Sequence, residues 1–330
     1  MIPGSLALAA VALPLSALGT GLALRYLRRR QVLDLPNERS SHSLPTPRGG
    51  GLGVVPAALL VWLPLVPSAG ELGPWLLVSV AGAMLLMLTS WLDDRHGLPA
   101  GPRFLAHAVI VAGTLALLPE GAEVFQGWLP LWLDRLLAGL GWLWFVNLFN
   151  FMDGIDGISG VEAGCLGFGI ALVGLVAGIG ELAPPAVAVA AAATGFLLWN
   201  WHPAKLFLGD VGSVPLGFLL GGLLLLLAVG GQLAAALILP AYYLADATIT
   251  LVRRGLKGEK IWQAHRQHFY QRAVQGGKRH DQVALAVLAA DLALIAAALL
   301  AAAGRVVEGT AAAVIVVAAL LALLAKWARS

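Results

Sequence analysis

Gly209-Asp210-Val-Gly-Ser-Val-Pro-Leu-Gly-Phe-Leu-Leu-Gly-Gly-Leu-Leu-Leu-Leu-Leu-Ala-Val-Gly230 opens on one carboxylate and then continues to Gly230 without another charge. About 20 apolar residues are what a helix needs to cross a hydrocarbon core of about 30 Å. The stretch therefore predicts a membrane-spanning helix over 212–230 with Asp210 at its polar end. Comparable runs cover about Gly4 to Leu24, 50–68, 75–92, 104–119, 132–150, 157–178, 184–200, 233–252, 282–303 and 310–327. The expected fold class is all-α: a polytopic integral membrane protein of about 11 transmembrane helices, forming a single domain over residues 1–330. Composition agrees, at 59% hydrophobic and 12% charged residues, against ~45–50% and ~25% in soluble domains.

Charge distribution gives the sidedness. The first run lacks a basic residue before it and is followed by Arg25, Arg28, Arg29 and Arg30, so it reads as a permanent helix with its N-terminus outside rather than as a cleaved signal peptide. Alternating along eleven spans then places all but two of the 21 Lys and Arg, Arg135 and Arg305, on the cytoplasmic side. The basic excess is thus the positive-inside bias, and nucleic acid is excluded as a partner. The long connections, 25–49, 93–103, 201–211 and 253–281, all lie on that cytoplasmic side, which predicts a cytoplasmic-face active site. A single cysteine, Cys165, rules out an intramolecular disulfide framework and a Cys-based metal cage.

Ionisable groups near membrane depth are costly and mark function. Asp93 and Asp94 end the third span, Asp153 and Asp156 lie in Asn147-Leu-Phe-Asn-Phe-Met-Asp-Gly-Ile-Asp-Gly157, Asp210 opens the eighth span and Asp246 approaches the end of the ninth. All six fall at one interface and would repel one another without a positive partner. Mg²⁺, a hard ion that takes carboxylate, water and phosphate oxygens, is the natural candidate. Gly154, Gly157, Gly209 and Gly212 beside these acids leave room for backbone N–H groups to approach phosphate oxygens. A second constellation is basic: in the 253–281 loop His265 and His268 are spaced as on one helix face, with Arg272 a turn further. Imidazole and guanidinium on one stripe suit a diphosphate. The positive-inside bias accounts for Arg253, Arg254 and Lys257. His42, His96 and His202 carry a weaker signal, since the last two can simply snorkel.

Thr46-Pro-Arg-Gly-Gly-Gly51, Leu92-Asp-Asp94, Asn147-x-x-Asn150-x-x-Asp153-Gly-x-Asp156-Gly157, Asn200-x-x-Pro-Ala-x-x-Phe207-x-Gly-Asp210-x-Gly-Ser213 and the His-bearing loop occur in one order. From about Arg25 to Arg272 the chain thereby resembles the polyprenyl-phosphate N-acetylhexosamine-1-phosphate transferases, glycosyltransferase family 4. The resemblance implies transfer of a sugar-1-phosphate from a UDP-N-acetylhexosamine to undecaprenyl phosphate, with release of UMP. It implies Mg²⁺, for which Mn²⁺ can substitute, and a bacterial inner-membrane location with the lipid bilayer as surroundings; a homodimer is compatible with it. By the family pattern Asp93 and Asp94 would hold the metal or activate the lipid phosphate, and Asp210 would be a metal ligand. Thr46, Asn150, Asp153, Asp156 and Asn200 would shape the substrate site, Phe207 would stack on uracil, and His265, Arg266, His268 and Arg272 would meet the diphosphate, His268 as a catalytic group.

One departure narrows the branch. The family loop often carries three clustered histidines, whereas His268-Phe-Tyr-Gln271 keeps the first alone, and Ala264-His-Arg-x-His268-x-Tyr-Gln-Arg272 is similar to the O-antigen-initiating branch that uses UDP-N-acetylfucosamine or UDP-N-acetylquinovosamine. The pattern leaves the sugar open, and with it the choice between a covalent and a one-step mechanism. Two rivals fit worse. An intramembrane prenyltransferase would space its acids as Asp-x-x-Asp-x-x-x-Asp, and an ion-coupled transporter would carry charges near the bilayer midplane in interrupted helices.

Overall fold

The computed structural model describes residues 2–36, 44–97, 99–119, 121–260, 263 and 265–329, so His42 and Ala264, and the side chain of His96, lie outside the described residues. The fold is all-α. Apart from a two-residue ladder, the chain forms helices α1 (Ile2–Arg29), α2 (Gly51–Trp62), α3 (Gly73–His96), α4 (Ala100–Leu115), α5 (Leu131–Phe151), α6 (Ile158–Val176) and α7 (Ala183–Asn200). There follow α8 (Asp210–Leu227), α9 (Leu233–Ile238), α10 (Ala241–Leu256), α11 (Phe269–Gln275), α12 (His280–Ala302) and α13 (Val306–Trp327).

Among the described residues eight segments are long and apolar enough to cross a membrane. The three expected spans outside that set differ for identifiable reasons. Helix α4 has only 16 residues, and α5 carries Asp134 and Arg135 in its first turns. The expected span 233–252 is broken: α9 stops at Ile238, and α10 restarts after Pro240, which has no N–H to continue a helical ladder. Helix ends also shift, since α1 runs on to Arg29 and α3 to His96, so Asp93 and Asp94 belong to a helical last turn rather than to a loop.

Helix α8 is the axis of the bundle, with every residue from Val211 to Leu227 buried. A helix apolar all round is what such a central position requires. Around it α5 docks by aromatic stacking, Trp142 lying 4.9 Å from Phe218 while its indole N–H donates to the Phe218 carbonyl at 2.9 Å. Indole donors far from water need such partners; Trp62 likewise donates to the Pro185 carbonyl at 3.0 Å and Trp199 to that of Ala17 at 2.8 Å. The periphery is apolar too, as Leu6, Leu18, Leu22, Val307, Val314 and Ile315 are exposed, which is the expected face toward lipid.

One close approach builds the site. A Cβ on Gly51 would sit 2.3 Å from the backbone of Gly212, so only glycine lets the start of α2 touch the start of α8. The segment before α2 is held in register with the one before α8: the Phe207 N–H donates to the Pro47 carbonyl at 2.9 Å, and the Gly49 and Gly50 N–H groups donate to the Phe207 carbonyl at 3.0 and 2.8 Å. The small antiparallel ladder of β1 (Leu33–Asp34) and β2 (Thr46–Pro47) backs this seam. Arg48 is thereby delivered to Asp210.

Candidate active site

Asp93, Asp94 and Asp210 meet at one end of the bundle, cross-linked by two arginines. Arg48 pairs with Asp210 and with Asp94, the latter at 3.1 Å. Arg103, at the start of α4, pairs with Asp93 and reaches Asp210 at 3.5 Å. The second oxygen of Asp94 accepts the Val211 N–H at 3.3 Å. Burial would lower the Arg48 pKa, but the charges of Asp210 and Asp94 outweigh it and raise the guanidinium above its ordinary value. Three carboxylates facing two cations form a hard oxygen donor set that fits a divalent ion, with the guanidiniums already supplying positive charge at the same place.

These groups open onto a cavity of about 790 Å³. Its polar wall includes Asp93, Asp210, Arg48, Arg103, Asn147, Asn150, His107, His265 and His268, and its apolar wall Phe104, Leu140, Leu143, Trp144, Val214 and Leu251. Arg48, Arg103 and His107 were not among the expected site residues. Arg48 stands inside the quoted Thr46–Gly51 motif, whereas nothing in the sequence distinguishes Arg103 from other arginines beside an apolar run or His107 from a lone histidine within one.

His268 is oriented from behind. Asp246, fully buried in α10, accepts from the His268 imidazole at 3.2 Å, the Phe269 and Tyr270 N–H groups at 3.0 and 3.3 Å, Tyr242 Oη at 3.2 Å and Thr250 Oγ1 at 3.3 Å. A carboxylate can only accept, so His268 Nδ1 carries the proton in that bond and Nε2 is left for the cavity. The expected helical stripe of His265 and His268 is corrected: His265 lies in an irregular segment and His268 immediately precedes α11. The rings still meet, with centroids 4.8 Å apart. Burial, with His268 and Arg254 nearby, lowers the His265 pKa to about 4. Arg254 is more than a topological charge: it is buried and donates to Glu259 at 2.8 Å and to the Lys260 and Gln263 carbonyls at 3.1 Å, shaping the loop that carries His265. Arg272 follows one turn into α11, but neither it nor Arg266 lines the cavity.

The other expected residues hold the surrounding segments. Asp153 accepts from Ser159 Oγ at 2.6 Å, and burial pushes its carboxyl up to about 6 despite that bond. Asp156 is the opposite case: burial would raise it, but bonds from His280, His202 and the Ala204 N–H hold it below its ordinary value. Asn200 accepts the Gly157 N–H at 2.9 Å and donates to the Leu206 carbonyl at 3.0 Å, tying the 152–157 loop to the segment bearing Phe207. Phe207 is half-buried, and Thr46 is buried in β2 with its hydroxyl on the Leu44 carbonyl at 3.1 Å. Two of the flanking glycines, Gly154 and Gly212, also serve packing. A Cβ on Gly154 would lie 2.2 Å from Tyr270 Oη, so its missing side chain makes room for α11, as that of Gly212 does for α2.

Residues 76–228 match the family described as glycosyl transferase family 4. The chain is 31% identical to a decaprenyl-phosphate N-acetylglucosaminephosphotransferase of Mycolicibacterium smegmatis, covering 81% of this chain and 73% of the relative. It is 27% identical to a probable undecaprenyl-phosphate N-acetylglucosaminyl 1-phosphate transferase of Bacillus subtilis, over 81% and 76% of the two chains. It is also 33% identical to a phospho-N-acetylmuramoyl-pentapeptide-transferase of Synechococcus, over 74% and 76%. The carboxylate–arginine cluster and similarity to these relatives over 73–76% of their length lead to one assignment: the chain belongs to glycosyl transferase family 4, within the polyprenyl-phosphate hexosamine-1-phosphate transferase superfamily.

Proposed function

We propose that this phosphosugar transferase moves N-acetylhexosamine-1-phosphate from a UDP-sugar to undecaprenyl phosphate at the cytoplasmic face of the bacterial inner membrane. The observation that carries the reading is the two-faced cavity: its ionic end is built from Asp93, Asp210, Arg48 and Arg103, and its other wall is apolar. A lipid phosphate has the same division, an anionic head on a hydrocarbon chain. Asp210 and Asp94, with Asp93 beside them, would hold Mg²⁺ or Mn²⁺, which supplies charge neutralisation to the phosphate oxygens.

In the proposed reaction a lipid-phosphate oxygen bonds to the sugar-bearing phosphorus, and the bond from that phosphorus to the UMP oxygen breaks. One phosphoanhydride replaces another, so the barrier is largely repulsion between anions. Arg48 and Arg103 lower it by facing both charges. His268, presenting Nε2 under the control of Asp246, hydrogen-bonds the diphosphate or moves a proton at its leaving oxygen. Asn150 meets the donor in the cavity, and Asp153, Asp156, Asn200, Thr46 and Phe207 shape the nucleotide side. Arg266 and Arg272, which do not line the cavity, would meet the diphosphate only if the 265–272 segment moves toward it.

The product would start O-antigen or a related envelope polysaccharide, supported by the Ala264–Arg272 pattern. Purified protein in detergent, given undecaprenyl phosphate and a panel of radiolabelled UDP-N-acetylhexosamines, should form a labelled lipid with release of UMP. Transfer from the N-acetylfucosamine or N-acetylquinovosamine donor places it in that branch, and transfer from N-acetylglucosamine alone moves it beside the relatives named for that sugar. No labelled lipid with any donor would overturn the proposal.

A further inference from the structure

Asp156, His202 and His280 come from three different segments, the turn after α5, the connection after α7 and the first residue of α12, yet their ligating atoms all lie within 4.8 Å of one another. Asp156 and His280 are buried and His202 is half-buried. None of the three belongs to the Asp93, Asp94 and Asp210 cluster.

Protons alone do not satisfy this group. Asp156 Oδ2 lies 2.6 Å from His202 Nδ1 and 3.2 Å from His280 Nδ1, and it also accepts the Ala204 N–H at 3.1 Å. The Asp156 N–H meanwhile points at the same His280 Nδ1 from 3.2 Å. If His280 Nδ1 is bare, it accepts that N–H and its lone pair then faces a carboxylate oxygen. If Nδ1 is protonated, it satisfies the oxygen and opposes the N–H. A cation bound by both Nδ1 and Oδ2 takes up the two facing lone pairs without a proton on the ring, at the cost of the acceptor of the Asp156 N–H.

We infer that Asp156, His202 and His280 form a second metal site, for a borderline divalent ion of the zinc class. Two imidazoles and one carboxylate are donors that suit zinc rather than magnesium. Ligand atoms around tetrahedral zinc lie about 3.3 Å apart, given bonds of ~2.0–2.1 Å; the separations from Asp156 Oδ2 are 2.6 and 3.2 Å, and the three ligand atoms lie within 4.8 Å of one another, so the two imidazoles close in on the ion as it binds. The surroundings support the ligands as outer groups of metal sites do: Ala204 N–H holds the carboxylate, and Asn200 fixes Gly157, the neighbour of Asp156. Bound there, the ion clasps α12 to the two segments that carry Asp153 and Phe207.

The test is metal content rather than turnover. Protein purified in detergent, stripped with chelator and re-equilibrated with zinc, should retain about one zinc per chain by elemental analysis after buffer exchange in excess Mg²⁺. Cobalt in place of zinc should give the visible absorption of a four-coordinate ion. Asp210→Asn should keep the zinc, since that residue belongs to the other cluster. His202→Gln should weaken binding at least about ten-fold, and His202→Cys, which restores a zinc ligand, should recover it in protein of the same gel-filtration profile. Wild-type protein that releases all its zinc to the buffer, or a His202→Gln, His280→Gln double variant that holds zinc as tightly as wild type, would overturn the assignment.

Discussion

The carboxylate cluster at α3 and α8 and the Asp246 group at α10 use the same side chain in opposite ways. Asp93, Asp94 and Asp210 are answered by the charged guanidiniums of Arg48 and Arg103, and Asp93 and Asp210 border an open cavity. Asp246 is answered by two backbone N–H groups, two hydroxyls and an imidazole, and is fully buried. Cationic partners beside a cavity can be exchanged for an ion or a phosphate as substrate arrives. That ring of donors cannot be exchanged without unmaking the start of α11. The first arrangement is suited to chemistry and the second to orientation.

Substitutions can break that contrast. Asp210→Asn should have the largest effect on the labelled-lipid assay, a loss of ~10³-fold or more, because it removes a charge that faces both arginines and the expected ion. Its thermal stability should stay close to wild type. His268→Gln, which keeps a hydrogen-bonding side chain but loses the imidazole, should lower kcat/KM by roughly 10²-fold. For Asp246→Asn the loss of turnover should be smaller than for Asp210→Asn and accompanied by a stability loss of about 1–3 kcal/mol, since buried N–H groups of α11 lose a charged acceptor. Equal stability of the two Asp→Asn variants would erase the distinction between the two regions. Arg253→Gln should change turnover only a few-fold, its side chain lying over the Phe269 ring at 5.2 Å rather than lining the cavity.

The smallest expected effect is on pH dependence. Half-burial, with His268 and Arg254 nearby, lowers the His265 pKa to about 4. A depressed histidine binds fewer protons folded than unfolded between those limits, so its contribution is fully present above about 6.5 and is lost as pH falls toward 4. Melting curves of wild type and His265→Gln should therefore converge or cross as pH is lowered from 7.5 to 4.5. A constant difference across that range would show that the ring is not titrating in the folded protein as its burial requires.

Much of the molecule is legible in order along the chain. The lipid-length apolar runs, the acids gathered at their ends and the motif series from Thr46 to Arg272 sufficed for the all-α membrane fold and for naming Asp93, Asp94, Asp210 and His268. Hydropathy did not show the interruption in the 233–252 run, where α9 ends at Ile238 and α10 restarts after Pro240. It also gave no reason to prefer Arg103 over any other interfacial arginine.

Hydropathy and motif spacing are local properties, and they determined which segments enter the membrane and which residue types stand at its edge. Partners are another matter. Arg48 and Asp210 are 162 residues apart in sequence, Asp156 and His280 are 124, and each pair exists because helices pack at glycine-to-glycine contacts and aromatic seams elsewhere in the bundle. Whether a buried carboxylate meets a guanidinium, a ring of N–H donors or two imidazoles follows from that packing, because burial makes the identity of the partner decisive. Tertiary structure alone decided it.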